Sequence, residues 1–427
     1  MKRIAVIGAG AAGCFCAAEL RRLRPEFRVD VYEAGPKPLA KVAVTGGGRC
    51  NLTNSFAGIR NLAEAYPRGD RLMKRLLKQF SNEDTWQWFE SAGVPLVLQE
   101  DHCVFPQSQD ALDIVRALLR RMDGANLRLR TPVQSIQFMQ TPDQVGGDDS
   151  VMSGSLDHVM PGPVSHVIPG LTRNLLVDGE PYDAVVVTTG GAPKGLPMLD
   201  SLDLEWVPTV PSLFTFTVRD AELRSLMGLV ADASVSIPGT AFKAEGPLLI
   251  TDWGLSGPAV LKLSSYAARF LHEAGYKAPL AVNWLARNEA ETRENLQQTA
   301  ADNPRKQVSN TPLAGLQARL WNHLILRAGL RSDIRWAELG SKGLNRLVAT
   351  LTQDAYEIAG KTKFREEFVT CGGVALSNLD PATLACKRHP GLYFAGEVLD
   401  IDAITGGFNL QAAWTTGAVV ARSIAAL

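Results

Sequence analysis

The feature that most constrains the fold is the strand, glycine loop and helix at the start of the chain. An apolar stretch ending at Ile7 runs into a glycine loop, and an alanine-rich helix follows. Such a loop needs one glycine for the tight turn, one where a pyrophosphate approaches, and one where helix and strand pack closely. The helix N-terminus offers free N–H groups and a positive dipole end to phosphates. We therefore predict a dinucleotide site at Gly8, Gly10, Ala11, Ala12 and Gly13.

The second predicted strand places an acid where a ribose would lie. The stretch Phe27–Tyr32 ends in Glu33, which stands 25 residues after Gly8. In dinucleotide folds an acid about 20 residues after the glycines accepts hydrogen bonds from ribose hydroxyls. A carboxylate there also repels a 2′-phosphate. Glu33 and the adjacent Ala34 therefore predict the ADP half of FAD or NAD rather than NADP.

Length and charge limit the classes of partner. The chain has 427 residues, which favours two or three domains. It carries 44 Lys and Arg against 44 Asp and Glu, so no global field draws it to nucleic acid or to an anionic membrane. Small basic clusters such as Lys74, Arg75 and Lys78 are interpreted as solvated helix faces. We expect a small-molecule substrate, no nucleic-acid partner and no membrane partner.

Cysteine and histidine positions indicate no metal. The six cysteines form no CxxC pair, so neither a redox couple nor a zinc site is indicated. Free thiols, and the lack of an apolar run of about 18 residues, predict a cytoplasmic protein. His158 and His166 have no evident third ligand and are interpreted as exposed loop residues.

Further glycine clusters follow other predicted strands. Thr45-Gly46-Gly47-Gly48 lets the backbone lie flat against a ligand, and Arg49 and Asn51 then supply a fixed charge and a hydrogen-bonding amide. A buried-type strand ends in Thr189-Gly190-Gly191, at the edge where open α/β sheets bind ligands. A strand beginning at Val133 is predicted to return to the sheet and to lend backbone groups to an adenine.

The C-terminal block predicts that the bound dinucleotide is an extended FAD. A strand ends in Gly396-Glu397, which can hold the ribityl and pyrophosphate region, and a helix opens after Thr405-Gly406-Gly407. The positive end of that helix would stabilise negative charge near the flavin N1. The chain thus leaves the nucleotide domain and returns to it.

The predicted fold is α/β, with a Rossmann-like FAD-binding domain in two sequence segments, an inserted β-barrel and a small helical subdomain. Residues 1–194 form the first FAD segment, within which 140–178, rich in Gly, Pro, Ser and Asp, is a surface insertion. The pattern then predicts a barrel at 195–286, a helical insert at 287–350, a return through the barrel at 351–368 and the second FAD segment at 369–427.

Several of these stretches carry a resemblance to a known family. The motifs GAGAAG (8–13), TGGGRCNLTN (45–54), GLSGPAVL (254–261), CGGV (371–374) and GLYFAGEVLDIDAITGGFNLQ (391–411) resemble the BaiN-like family of FAD-dependent oxidoreductases, some of which are labelled aminoacetone oxidases. The resemblance spans nearly the whole chain. It implies that the cofactor is surrounded by Glu33, Lys41, Arg49, Cys50, Asn51, Gly396, Glu397, Asp402, Gly406, Gly407, Phe408, Asn409, Leu410 and Gln411.

The chain also departs from the family pattern. Asp252 stands where the family often has His, and Asn378 stands where it often has Glu. If that His handles substrate protons, Asp252 changes the substrate or the rate. The candidate catalytic residues are therefore Arg49, Cys50 and Asp252.

The predicted function is an FAD-dependent oxidoreductase that transfers hydride between the flavin and a small organic substrate. One form of it reduces a conjugated C=C bond with NAD(P)H as donor. No second GxGxxG marks an NAD(P)H domain, which leaves open an oxidase of a small amine or ketone that uses O2. A flavoprotein acting in RNA modification is a second alternative, against which the neutral charge argues.

Overall fold

The computed structural model describes residues 1–138, 175–191, 196–362 and 369–427. Most of the predicted 140–178 insertion, with His158 and His166, lies outside the described residues. No helix in the described ranges has both the length and the apolar character needed to cross a membrane.

The centre of the nucleotide-binding domain is a parallel sheet with strands from both ends of the chain. Within the described residues its order is β20-β10-β1-β2-β6. Strands β1, β10 and β20 are nearly continuous runs of buried apolar residues, as expected where a parallel sheet is covered on both faces, whereas the edge strand β6 is mostly polar and not buried. Their bounds are β1 Arg3–Ile7, β2 Arg28–Tyr32, β6 Asn126–Arg128, β10 Ala184–Val187 and β20 Leu392–Phe394.

Two helices from opposite ends of the sequence pack together in this domain. They are α1, Ala11–Leu23, and α12, Phe408–Ala425. A side chain at Gly417 would lie 2.8 Å from the Ala12 carbonyl oxygen, so this glycine lets the two helix backbones approach. The domain's other helices are α2 Ala40–Val44, α3 Asp70–Leu76, α4 Asn82–Ser91 and α5 Ala111–Arg121.

Two small antiparallel sheets flank the parallel sheet. One contains β3 Thr53–Asn54, β4 Leu96–Leu98 and β5 Cys103–Pro106; the other contains β7 Ile136–Phe138, β8 Leu175–Val177 and β9 Glu180–Tyr182. The prediction that the strand after Val133 returns to the main sheet is wrong, since β7 pairs with β8 instead. The predicted end of the insertion at 178 is also too late, because the first and last residues of β8 are buried in the domain core.

Within the described residues, the inserted domain has its own hydrophobic core around an antiparallel sheet of seven strands. Three helices inserted between its last strands form the predicted helical subdomain. The strands are β12 Phe216–Thr217, β13 Val230–Ser236, β14 Lys243–Ile250, β15 Gly254–Ser256, β16 Ala278–Asn283, β17 Asp354–Ile358 and β18 Gly360–Lys361. The helices are α6 Ala221–Arg224, α7 Pro258–Tyr266, α8 Ala268–Glu273, α9 Glu289–Asp302, α10 Ala318–Arg327 and α11 Gly340–Gln353.

A two-stranded ribbon joins the two domains. It consists of β11, Trp206–Ser212, and β19, Val369–Val374, which pair antiparallel outside the seven-stranded sheet. The sequence pattern placed β11 inside the barrel, because a short strand does not reveal its partner. The ribbon carries Thr370 and the Gly372-Gly373 pair back to the nucleotide domain.

Candidate active site

The glycine loop has the geometry that its spacing predicts. Gly8 has a φ of +107°, and a side chain there would lie 2.5 Å from the Thr188 carbonyl oxygen. A side chain at Gly13 would lie 1.9 Å from the Gly8 oxygen, so helix and strand pack closely at this position. At Gly10, immediately before α1, a Cβ atom would meet nothing within 4 Å. The open space in front of the helix N-terminus is therefore beside Gly10, where a pyrophosphate needs it.

A cavity of about 280 Å³ adjoins this loop on the side of Glu33. The Glu33 carboxylate accepts hydrogen bonds from the backbone N–H groups of Ala9, at 3.0 Å, and Gly35, at 2.7 Å. These bonds hold the acid at the mouth of the cavity. The structure brings five predicted cofactor residues together in the cavity wall, which also contains Leu196, Pro197 and Met198. The five are Gly8, Glu33, Ala34, Val133 and Thr189.

The two specific glycine motifs meet at the opposite end of the site. Asn54 donates a hydrogen bond of 3.0 Å to the Gly406 carbonyl, and the Thr53 hydroxyl donates one of 2.5 Å to Gln411. A side chain at Gly407 would lie 2.3 Å from the Thr53 carbonyl oxygen, so only glycine permits this approach. The loop that spans Thr45, Gly46, Gly47, Gly48, Arg49, Cys50 and Asn51 therefore lies against the start of α12.

In the first turn of α12, polar side chains are hydrogen-bonded to protein groups, whereas several backbone N–H groups are available to a ligand. Asn409 uses its side-chain amide to bond both backbone groups of Ala403, at 2.9 and 3.0 Å. Gln411 is buried among Thr53, Ser81 and Thr415. The first backbone hydrogen bond of the helix runs from Gln411 to Gly407, which leaves the N–H groups of Phe408, Asn409 and Leu410 available for a ligand. We infer that these residues serve a cofactor through their backbone rather than their side chains.

Glu397 joins four separate pieces of the chain. It accepts a 2.9 Å hydrogen bond from the Thr370 backbone N–H, and its second oxygen lies 3.4 Å from the Lys41 ammonium. A Cβ atom at Gly190 or Gly191 would lie within 3.4 Å of the same carboxylate. Gly396 packs so closely on α1 that a side chain would lie 2.7 Å from the Ala12 Cβ. The predicted residues Lys41, Gly190, Gly191, Gly396 and Glu397 are therefore neighbours.

Arg49 and Cys50 have very different surroundings. The exposed Arg49 guanidinium lies 4.7 Å from the centre of the Phe105 ring and donates to the Gly46 carbonyl at 3.4 Å. It makes no ion pair with another described residue. Cys50 is fully buried, and burial raises the pKa of its thiol to about 12. A thiol of that kind stays protonated and is a poor nucleophile.

Asp402 contributes to the contact between the two domains. Its carboxylate is fully buried, is paired with both sides of the Arg68 guanidinium, and accepts from the Ser212 hydroxyl at 3.0 Å. Arg68 also donates to the Ser265 carbonyl of α7 at 2.8 Å. Burial would lower the pKa of Arg68, but the Asp402 contact outweighs it and raises that pKa. The oxygen atoms of Asp402 are thus occupied by protein groups.

The two departures from the family pattern occupy ordinary structural positions. Asp252 is exposed at the turn between β14 and β15, and no hydrogen bond or ion pair joins its side chain to another described residue. Its predicted catalytic role stays a prediction. Asn378 is buried, donates to the Glu205 and Ala375 carbonyls and accepts from the Glu205 N–H. A Glu at this position could not donate those bonds.

Sequence reasoning did not find several residues that shape the site. Phe105 supports Arg49, Thr370 orients Glu397, and Tyr66 donates to the Phe408 carbonyl at 2.8 Å. Arg68, which fixes the loop before α12, was also missed. Thr370 directly precedes the quoted CGGV motif, which was a usable signal, but nothing local marks the other three.

The residues present fit FAD. The space beside Gly10 accepts phosphate oxygens next to a helix N-terminus. Two buried oxygen atoms at the site, Asn51 Oδ1 and Thr189 Oγ1, have no hydrogen-bond partner among the described residues. Buried polar atoms are almost always satisfied, so both indicate a polar ligand. A dinucleotide fold built from two sequence segments, with a second helix N-terminus at the far end of the site, defines an FAD-dependent oxidoreductase.

Comparison with known proteins agrees with this class. Residues 2–149 match the HI0933-like protein Rossmann domain, and residues 210–369 match the HI0933-like protein barrel and H2TH domain. The chain is 30% identical to the ribosomal RNA dihydrouridine synthase of Escherichia coli, with 99% of this chain and 97% of that protein covered. It is 28% identical to the protein of the same name from Haemophilus influenzae, with 98% and 97% covered.

A relative that is named for a different activity is similar over the same length. The chain is 27% identical to the 3-dehydro-bile acid delta(4,6)-reductase of Clostridium scindens, with 100% of this chain and 99% of that protein covered. The chain belongs to the HI0933-like family. The resemblance to BaiN-like flavoproteins and the predicted Rossmann-plus-barrel fold are therefore confirmed.

Cys50 is predicted to take no part in a redox disulfide. All six cysteines are described, and each is a free, buried thiol. We expect the number of thiols titrated in denaturant to be six both before and after anaerobic reduction with dithionite. A gain of two thiols on reduction would contradict this prediction, and Cys50→Ser should retain flavin.

Proposed function

We propose that the protein is an FAD-dependent reductase of a C=C bond conjugated with a carbonyl, and that its substrate is a uridine in ribosomal RNA. The observation that carries the proposal is the full-length similarity to the ribosomal RNA dihydrouridine synthases of two species. We further propose that NAD(P)H is the electron donor.

The chemistry of the relatives supports a common reaction type. In uracil, the C5=C6 bond is conjugated with the C4 carbonyl, and a steroid dienone presents the same arrangement of C=C and C=O. Reduction adds a hydride to the carbon β to the carbonyl and a proton to the α carbon. FAD, when bound, supplies the hydride chemistry, while the protein supplies binding, orientation and electrostatics. The start of α12 and the Arg49 guanidinium provide positive charge for an oxygen that gains negative charge.

The neutral net charge does not count against an RNA substrate as strongly as the sequence suggested. Net charge is a sum over the whole chain, whereas RNA contacts a limited surface. Local clusters of unpaired cations can therefore bind phosphates on a protein with a formal charge of zero.

The experiment uses the purified flavin-loaded protein and unmodified transcripts of both ribosomal RNAs. We expect anaerobic incubation with NADH or NADPH to produce dihydrouridine, detected by mass spectrometry of the nuclease-digested RNA as a gain of two hydrogen atoms. A parallel reaction with a steroid dienone tests the small-molecule function, which the bile-acid reductase relative favours.

The outcomes separate the candidates. Reduction of the dienone with unchanged RNA would replace the RNA substrate with a small enone. Peroxide formation during turnover of an amine or ketone would favour the oxidase, provided that neither the RNA nor the steroid dienone is reduced.

Arg49 is predicted to act on turnover and not on cofactor retention. Arg49→Lys keeps the charge but loses the planar group that stacks on Phe105. We expect the variant to retain FAD and to lose about tenfold in turnover, roughly 1.4 kcal/mol in the barrier. Unchanged turnover would remove Arg49 from the site, and loss of flavin alone would assign it to cofactor binding.

A further inference from the structure

A cluster of cations on α3 has no partners among the described residues. Arg71, Lys74, Arg75 and Lys78 are all exposed, and none of their side chains makes a hydrogen bond or ion pair with another described residue. Arg71, Arg75 and Lys78 stand at i, i+4 and i+7, so they share one face of the helix and of the turn after it. With a rise of 1.5 Å per residue, the four cations extend over about 10 Å. We call this set the α3 basic face.

The surroundings of the α3 basic face reinforce its positive charge. Arg422 donates to the Gln79 carbonyl at the end of the same segment, and Lys387 donates to the nearby Ser377 carbonyl at 2.8 Å. The neighbouring acid Asp380 is occupied by the N–H groups of Ala382 and Thr383, at 2.9 Å each. Asp70 opens α3 and is the acid on the helix itself.

A cavity of about 270 Å³ lies directly beside these cations. Its wall combines two guanidinium groups with apolar side chains, and it is lined by Arg71, Leu72, Arg75, Leu376, Leu379 and Pro381. Gln79 donates a 3.0 Å hydrogen bond to the Ala382 carbonyl, which ties the α3 segment to the 380–383 turn beside the cavity. Single-stranded RNA is bound by this kind of combination, because splayed bases pack on apolar groups or on Arg planes while cations contact the phosphates.

The cavity is connected to the candidate active site through rigid elements. Leu376 and Leu379 follow β19, whose second residue, Thr370, bonds Glu397. The six residues of β19 span about 20 Å, so the cavity and Glu397 lie near opposite ends of one strand. Arg68, two residues before α3, anchors the loop that leads to α12. Because α3 packs against α12, a strand of RNA with one uridine beside the start of α12 could reach the α3 basic face within a few nucleotides.

We propose that the α3 basic face and its cavity bind the single-stranded ribosomal RNA that flanks the target uridine, with one base in the cavity and phosphates on the cations. This inference rests on the proposed function and names the surface that holds its substrate. A merely solvated helix face would not explain why an apolar cavity opens between two of the unpaired arginines.

The test compares two charge reversals of equal size in the flavin-loaded protein. Arg71→Glu/Arg75→Glu changes the α3 basic face. Lys342→Glu/Arg346→Glu makes the same change on α11, where both residues are exposed and have no ion pair among the described residues. The probe is unmodified ribosomal RNA transcript, and its dissociation constant is measured at several salt concentrations.

We expect the α3 variant to bind the transcript at least tenfold more weakly and the α11 variant to bind within twofold of wild type. The logarithm of the association constant falls linearly with the logarithm of salt concentration, and the loss of two phosphate contacts should make this slope less steep by about 1.4. Leu376→Trp, which fills the cavity, should weaken binding without changing the slope. Reduction of a small enone, if wild type shows it, should be unchanged in the α3 variant.

Several results would overturn the inference. The inference fails if wild type does not bind the transcript, if the α3 variant binds as tightly as wild type, or if both variants lose the same affinity. Binding to intact ribosomal subunits but not to the free transcript would also contradict it and would indicate a protein partner. Failure of the proposed function looks different, since wild type would then bind the transcript through α3 without forming dihydrouridine.

Discussion

Gly10→Val is expected to give a folded protein that contains no flavin. Gly10 has a φ of −84° and a ψ of −165°, a conformation open to any residue, and its Cβ atom would meet nothing within 4 Å. The valine side chain would instead fill the space that a pyrophosphate requires at the N-terminus of α1. We expect affinity for FAD to fall at least 100-fold, about 2.7 kcal/mol. Flavin absorbance and titration with FAD measure the loss.

Two neighbouring substitutions serve as controls for Gly10→Val. Ala11→Ser should retain flavin, because it leaves the space beside Gly10 open. Gly13→Val should prevent folding, because a Cβ atom there would lie 1.9 Å from the Gly8 oxygen and 2.5 Å from the Thr188 hydroxyl. A Gly10→Val protein that binds FAD normally would show that the phosphates do not approach the backbone at this position.

Asp402→Ala is expected to destabilise the protein by about 3–5 kcal/mol, because it leaves a buried guanidinium without its counter-ion. The Arg68 side chain is only 16% exposed and Asp402 is fully buried. Ser212 loses its acceptor as well. The pair joins α3, the loop before α12 and the inserted domain, so we also expect weaker retention of flavin. Urea unfolding measures the stability through a shift of the midpoint.

The control for this prediction is an exposed ion pair. Glu289 lies 2.9 Å from Arg293 with 60% of its side chain exposed, so Glu289→Ala should cost no more than about 0.5 kcal/mol. The double variant Arg68→Met/Asp402→Leu should be more stable than Asp402→Ala, because an apolar pair needs no counter-ion. Equal effects of Asp402→Ala and Glu289→Ala would contradict the structural role of the buried pair.

Local chemistry made much of the nucleotide domain predictable. Gly13 is required by its close contact with the Gly8 oxygen five residues earlier, and the helix that begins after Ser81 carries a recognisable capping residue. The start of α12 directly after Gly407 was likewise predicted from the Gly406-Gly407 pair, and the structure gives Gly407 a φ of +89°. The 45–54 motif was recognisable too, and its convergence with the 405–411 turn, which the sequence predicts, is seen in the hydrogen bond from Asn54 to the Gly406 carbonyl.

The sequence by itself determined the cofactor fold, because the glycine turns and helix starts that identify this fold can be recognised within short segments of the chain. Only the tertiary structure decided the partners of Asp402 and Glu397. Arg68 and Asp402 are 334 residues apart, and Lys41 and Glu397 are 356 apart, so no periodicity links them. The same holds for the α3 basic face. Its cations look like an ordinary helix surface until packing places Leu376 and Leu379 beside them, because a cavity is a property of packed segments and not of one segment.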